Sequence, residues 1–553
     1  VSVDGAIEEA GLTDSPDTTS EDLGFVNIHY YAAAATQYGT WAMGGYQYAA
    51  KSYDARFQHV EGYNACVDCH DPHSLELKLD ECSTCHTNVS SVQDIKDIRL
   101  AGSTADYDGD GNVSEGVAVE IEGLQEILYQ AIQAYAEETA GTPIVYHAHS
   151  YPYFFIDTDG DREASEEEAS YGNQFVSWTP RLLKAAYNYQ TSLKDPGAFA
   201  HGAKYIIQLL YDSIEDLDGA IAHNLSRIDA GHFAGSEEAF RHWDEDGEVP
   251  GSCAKCHSAT GLPEVLMEGG TGAQPLANGF LCTTCHDAMP EFTRYAVEAV
   301  EMPSGLEVDT GDPDSNLCLN CHQGRESTVS VNRAIAGLDL DTVSEDVGFR
   351  NVHYFAAGAT LFGTEAKGAY EFDGKTYLGR FPHVEGFDTC IECHDTHALE
   401  LRAEQCSTCH SGIEDVIEIR MSEVDFDGDG NVKEGLSGEI ATFREALYDA
   451  LQAYAADGIG TPIVYDSHSY PYFFIDTNGN GQVDEDEASY GNRYATWTPR
   501  LLQAAYNYQY AAKDPGAFAH NGKYVIQVLY DSISSLGIRV SVDMAGMVRP
   551  EVE

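Results

Sequence analysis

All fourteen cysteines of this 553-residue chain fall in seven copies of one pentapeptide, C-x-x-C-H. The copies are CVDCH (66–70), CSTCH (82–86), CAKCH (253–257), CTTCH (282–286), CLNCH (318–322), CIECH (390–394) and CSTCH (406–410). A lone C-x-x-C suits a zinc ribbon or a redox dithiol equally well. Neither chemistry asks for a histidine after every pair. Covalent haem attachment does: two thiols add across the vinyl groups and the adjacent imidazole binds the iron. The residues implied are Cys66, Cys69 and His70; Cys82, Cys85 and His86; Cys253, Cys256 and His257; Cys282, Cys285 and His286; Cys318, Cys321 and His322; Cys390, Cys393 and His394; and Cys406, Cys409 and His410. Seven haem c groups follow, and no thiol is left for a disulfide.

That arithmetic changes what the chain needs in order to fold. Its length suggests two to four domains, and seven macrocycles bring apolar surface of their own. The expected fold is mainly α with extensive irregular loops and low strand content, haems forming much of the core. Val117 to Thr139 carries Ile121, Leu124, Ile127, Leu128, Ile132 and Tyr135 at helical spacing, and Ser437 to Ala456 is its counterpart. Pro180 and Pro499 each follow a threonine, as in the first turn of a helix.

Self-comparison shows a duplication. Ser20 to about Leu217 recurs as Ser344 to about Leu536: NIHYYAAAATQYGT (27–40) matches NVHYFAAGATLFGT (351–364), and HSYPYFFIDT (149–158) is identical at 468–477. The expected organisation is a two-haem module (1–217), a three-haem middle segment (218–340), a second two-haem module (341–536) and a tail (537–553). VSVDGAIEEAGL (1–12) also resembles VSVNRAIAGL (329–338), which follows the CLNCHQGR motif. The chain reads as if a preceding three-haem segment were missing, through partial duplication or cutting from a longer precursor. A start at Val1 without a leader agrees with a processed form.

The second axial ligand separates an electron carrier from a catalyst, since an open face admits substrate. Twenty-one histidines less the seven in motifs leave fourteen. His29/His353, His59/His383, His73/His397, His149/His468 and His201/His520 occur in both repeats. His73 and His397 lie three residues after a motif histidine, too close for the same iron, and are assigned to the neighbouring haem of the pair. His59 and His383 lie just upstream of a motif; His29 and His353 sit in an HYxAA stretch. His232 and His242 precede CAKCH and suit the middle segment, His223 less so. His149, His201, His468 and His520 read more readily as propionate partners or helix caps, and His147 is replaced by Asp466. The preferred set of eight (His29, His59, His73, His232, His242, His353, His383, His397) exceeds seven by one. The surplus ligand, His29 by preference, is spare or binds a haem in an adjacent chain.

Acidic loops add a second cofactor, calcium. IDTNGNGQVDEDE places Asp476, Asn478, Asn480, the Gln482 carbonyl, Asp484 and Glu487 in D-x-N-x-N-G-x5-E order, with Gly481 at the turn. Asp157, Asp159, Asp161 and Glu168 repeat it with Arg162 at the glycine position. DYDGDGN and DFDGDGN supply Asp106, Asp108, Asp110 and Asp425, Asp427, Asp429, with Glu120 or Glu439 standing in for a twelfth-position glutamate. The plainer alternative is a solvated acidic turn.

Thirty basic against ninety-one acidic residues give a formal charge of −61. Nucleic acid and anionic membranes are therefore poor partners, while cationic proteins, metal ions and oxide minerals are compatible. The acidity also suits plain solubility or a salty habitat. No apolar run is long enough to cross a bilayer.

The paired CxxCH motifs, the CHDPH-type segments above all, resemble those of multihaem c-type cytochromes, including extracellular electron-transfer cytochromes that polymerise into filaments. The resemblance implies outer-sphere electron transfer, a location outside the cell or at its surface with the periplasm as alternative, and no catalytic residue. Implied partners are further copies of the chain, redox proteins or extracellular acceptors. Competing readings are a soluble periplasmic carrier and a multihaem enzyme acting on nitrogen compounds at one open haem. Such enzymes often replace a motif histidine by lysine, and all seven motifs here keep His. A continuous path requires motifs two and three, about 170 residues apart, to meet in space or through a neighbouring chain.

Overall fold

The computed structural model describes residues 2–552 apart from 61, 101, 230, 232, 233, 235–237, 290 and 421; the side chain of Glu238 is also left aside. The chain forms two compact units. Unit 1 comprises Val1–Arg294 with Asp395–Glu400, and unit 2 comprises Tyr295–His394 with Leu401–Glu553. Packing thus cuts the middle segment between its fourth and fifth motifs and lends unit 1 six residues from the second repeat. The architecture is mostly helix and loop. Strands among the described residues make only two-stranded antiparallel sheets, and no described helix is long and apolar enough to cross a membrane.

Unit 1 opens with α1 (Val3–Glu9), capped by Ser2. Its core is built by α2 (Val117–Glu138), α3 (Pro180–Leu193) and α4 (Ala203–Leu217). Along α2 the buried Ile121, Leu124, Leu128 and Ile132 recur at three- and four-residue spacing and define one apolar face. Thr179 accepts from the Leu182 amide and Pro180 occupies the first turn, which fixes where α3 starts. The hairpin β1 (Ile144–Tyr146) and β2 (Phe154–Ile156) closes the top of this core. Trp178 is fully buried, its ring stacked on Phe25 at 5.5 Å and met edge-on by Phe154.

Unit 2 repeats the plan with α5 (Thr328–Ala334), α6 (Leu436–Ala453), α7 (Pro499–Ala512) and α8 (Ala517–Leu536). Its hairpin is β3 (Ile463–Tyr465) with β4 (Phe473–Ile475). Trp497 takes the place of Trp178, stacked on Phe349 at 5.6 Å.

Buried polar side chains on these helices hold the irregular motif-bearing segments in place. In unit 1, Asn188 accepts from the Tyr46 amide at 2.7 Å and donates to the Tyr46 carbonyl at 2.9 Å. Gln208 on α4 accepts from the Asp54 amide and donates to its carboxylate. In unit 2 Asn507 pairs with the Tyr370 amide and carbonyl in the same way, and Gln527 accepts from the Leu378 amide and donates to the Pro550 carbonyl. Each is fully buried and paired, so the extended segments cannot slide without orphaning a polar group.

Candidate haem sites

Three motifs start as a single helical turn and then break. Cys66–Cys69, Cys282–Cys285 and Cys390–Cys393 are helical, and the histidines that follow are extended. In a helix, positions i and i+3 share a face, so both thiols point one way. The extended residue then carries the imidazole off the helix axis. The variable third position fixes the start of the turn: Asp68, Thr284 and Glu392 accept from the amides of Ala65, Leu281 and Thr389 at 2.8, 3.0 and 2.9 Å. All fourteen thiols are free of disulfides and none is buried.

Five motif histidines face another imidazole. Ring centroids are 6.2 Å apart for His70 and His201, 6.1 Å for His86 and His59, and 6.4 Å for His286 and His397. In unit 2 they are 6.4 Å apart for His394 and His520 and 6.2 Å for His410 and His383. Two metal–imidazole bonds of about 2 Å, added to half a ring on each side, come to about 6.4 Å. The rings are therefore spaced to take one iron between them, and the same arrangement appears twice by duplication. Burial lowers the pKa of both His59 and His86, which favours the neutral ring a metal needs.

The side chains behind these rings match ligation as well. His201 and His520 are held at Nδ1 by Asp195 and Asp514, each at 2.8 Å and each carboxylate buried. His286 and His257 use Nδ1 on the carbonyls of Phe292 and Ala239, at 2.9 and 2.7 Å. With Nδ1 engaged, Nε2 is the nitrogen left for a metal. The residues present thus fit covalent haem with two axial histidines.

Comparison with known proteins agrees with this geometry. The family model for cytochrome c7 and related cytochrome c matches residues 238–323, the stretch that holds motifs three to five. The chain is 28% identical over 394 residues to the C-type polyheme cytochrome OmcB of Geobacter sulfurreducens, which covers 58% of this chain and 49% of that protein. It is 26% identical over 434 residues to the C-type polyheme cytochrome OmcC of the same species, covering 66% of this chain and 52% of that one. The chain is a multihaem c-type cytochrome. It spans about half the length of the curated relatives it matches. No solved structure matches it.

Within this cytochrome the remaining histidines separate clearly. His397 faces His286 rather than the second haem of its own pair, because Asp395 accepts from the amides of His397 and Ala398 and folds the segment into a tight turn belonging to unit 1. His383 occupies the position across from His410 instead. His73, the counterpart of His397, is exposed and no described ring faces it. His29 and His353 share a left-handed backbone, with φ of 66° and 79°, and each amide donates to an asparagine two residues before. His29 is exposed and His353 is half-buried. His242 lies 5.0 Å from Trp243, whose own ring is 5.5 Å from His257. His232 lies outside the described residues. His149 packs edge-on to His147 at 6.1 Å, and the His468 amide donates to Asp466.

Sequence reasoning set His201 and His520 aside. The available signal was the aspartate six residues earlier in both copies of KDPGAFAH, a ready partner for Nδ1.

Motifs distant in sequence also meet. In unit 1 burial raises the Cys282 thiol, and Cys85 acts on it in the same direction, so the second and fourth motifs are neighbours. In unit 2 a hydrogen bond from Cys318, ahead of the opposing effect of burial, brings Cys390 down to about 7, and the Cys390 amide donates to Ser315 at 3.1 Å. The first pair thus joins the fourth motif, and the fifth joins the last pair.

The acidic loops of the cytochrome gather carboxylates in three places. Asp106, Asp108 and Glu120, with Asp108, Asp110 and Glu115, form one cluster; Asp425, Asp427 and Glu439, with Asp427, Asp429 and Glu434, form its twin; Asp157, Asp159 and Glu168 form the third. Donor oxygens in each trio lie within 4.8 Å of one another. Burial, followed by the charges of Glu120, Asp110 and Glu115, pushes Asp108 up to about 6. Burial and like charge also raise Glu115 and Glu434. Buried oxygens of Glu115, Asp427 and Glu434 lack a hydrogen-bond partner. Such crowding favours a cation. Glu115 and Glu434 were missed in the sequence, although NVSEG and NVKEG place them identically. The carboxylates of Asp476, Asp484 and Glu487 are not gathered to that spacing. Asp484 accepts from Asn478 at 2.6 Å and from Asn480 at 3.0 Å, and Glu487 from the Thr477 amide.

Proposed function

We propose that this cytochrome holds seven haems c and moves electrons by outer-sphere transfer among closely spaced bis-histidine irons. The observation that carries the reading is the set of five imidazole pairs at axial spacing. In it the pairs are His70–His201, His86–His59, His286–His397, His394–His520 and His410–His383. His257 and His322 draw their second ligands from His232, His242 and His353. Bound haem c supplies one-electron iron chemistry; the protein fixes its ligands, position and electrostatics. Five such pairs would close both axial faces of their irons and leave no opening for substrate there, with Asp195 and Asp514 orienting two of the ligands. A multihaem enzyme would need such an opening.

The meeting of Cys85 with Cys282, and of Cys318 with Cys390, supports a path from the first pair through the fourth haem and from the fifth to the last pair.

A location outside the cell or at its surface, with the periplasm as alternative, agrees with the charge of −61 and with the commitment of every cysteine to haem. Calcium at the three carboxylate clusters, and at Asp476–Glu487 once Asn478 and Asn480 turn their amides, would clamp loops that no disulfide staples. Exposed His29 supports a haem ligand shared with another molecule, the kind of contact from which a filament is built.

Low-temperature EPR of the oxidised protein tests the central reading. Seven low-spin haems per chain, counted against total haem, support it; a high-spin ferric signal amounting to one haem in seven supports the enzyme instead. Electron micrographs of the native particle test the filament.

A further inference from the structure

The two repeats differ in what covers them. In unit 2 the stretch leading into and out of the fifth motif lies over residues 352–371. The Gly358 amide donates to the His322 carbonyl at 2.9 Å, Arg325 donates to the Val352 carbonyl at 3.1 Å, and Thr328 caps the carbonyls of Lys367 and Ala369. Beneath it Val352, Ala356, Phe362 and Ala366 are buried. The twin face of unit 1 is barer: Ile28 and Ala32 are half-buried and Tyr38 and Ala42 exposed, although Tyr354 and Phe355, the twins of Tyr30 and Tyr31, are also 43% exposed. Tyr30, Tyr31, Trp41 and Met43 are 72, 64, 49 and 67% exposed, and exposed His29 stands among them. Tyr30 and Tyr31 pack on each other at 5.1 Å, and exposed aromatic surface of this kind suits docking.

The arm Asp395–Glu400 tells the same story. In unit 1 it is seated: His397 faces His286, Thr104 donates to Glu400 at 2.9 Å, and glycines at 102 and 231 leave room for it, since a Cβ there would come within 2.4 and 2.2 Å of His397. Its twin Asp71–Glu76 has the same turn. Asp71 accepts from the amides of His73 and Ser74, and Leu75 has φ of 61° where Leu399 has 58°. Yet His73 is exposed, and Leu75 is 75% exposed. The loop is already shaped for a partner, so binding costs it little ordering.

We propose that this barer face docks a separate haem-bearing segment built like residues 231–331, with His73 and His29 as distal ligands to two of its haems. The proposal rests on the bis-histidine reading above and assigns His73 outside its own pair. The occupant is not the corresponding segment of a second copy. That segment already covers residues 352–371 of its own chain. Moreover Ala34 replaces Gly358, where a Cβ would lie 2.4 Å from Leu319, so the docked segment carries a smaller residue there.

The test titrates the full seven-haem chain with a Cys-x-x-Cys-His haem peptide whose iron has one open axial side and is high-spin. Up to two equivalents of peptide should turn low-spin. His73→Ala and His29→Ala should each remove one equivalent, and Trp41→Asp should weaken the His29 site about tenfold. Resident haems should stay low-spin in every variant. Absence of conversion, or conversion unchanged in the double variant, would overturn the proposal. So would a resident haem turning high-spin in either single variant, since that histidine would then serve this chain's own iron. A resident high-spin haem in the unsubstituted protein would count against the bis-histidine reading alone, and the added peptide would still report on His29 and His73. Self-association that persists in the double variant would place the contact between copies elsewhere.

Discussion

His520 shows how much one side chain can decide. Its ring faces His394, and Asp514 holds its Nδ1. His520→Ala should open one axial side and turn one haem in seven high-spin, visible by EPR; His201→Ala should do the same in the first repeat. Asp514→Asn should keep the ligand but make it less electron-rich, raising the reduction potential of that haem in a potentiometric titration. The motif residues were legible because covalent attachment fixes their spacing. The imidazoles that face them were not, because such rings need only meet in space, and His201 and His520 come from helical segments far down the chain. Asp341 supplies a pH prediction. Arg500, with Arg539 and Tyr454, holds its carboxyl well below the usual value of 3.8. A lowered folded-state pKa stabilises fully above the unfolded value and loses that contribution as pH falls through the folded one. Asp341→Asn should therefore cost about 2 kcal/mol at neutral pH, and the difference should shrink below about pH 4, measured by denaturant unfolding across pH.

Among the elements, the helices were legible and the loops only partly so. Val117–Thr139 was expected and α2 runs Val117–Glu138; Ser437–Ala456 was expected and α6 runs Leu436–Ala453. Apolar spacing and the Thr–Pro starts carry that information locally. The seat of Asp395–Glu400 was not legible, because a six-residue turn can face either way and only the glycines at 102 and 231, remote in sequence, make room for it. The acidic loops differ from the sequence pattern: D-x-N-x-N-G-x5-E matches the calcium loop best, while the gathered carboxylates belong to the DGDGN loops and to Asp157, Asp159 and Glu168. Glu434→Gln should remove one ligand and a buried unpartnered oxygen together, lowering calcium affinity about tenfold or more in calorimetry. Chelation should lower the unfolding temperature of the unsubstituted protein more than that of the variant.

At the scale of the whole chain, duplication explains why the two units share a plan and also why their surfaces differ. The repeat was legible as matching strings, but the division of the middle segment between units was not, since packing follows the motifs' neighbours rather than the repeat boundary. The position of the helical cores has one more consequence. Gln208 and Asn188 pin the stretch around Asp54 and Tyr46 from helices that come later in the chain. Gln527 and Asn507 do the same for Leu378 and Tyr370. As the chain emerges from its N-terminus, each pair of motifs appears before the scaffold that will fasten it. The segments leading into each motif pair are therefore fastened only once the later helices have been made.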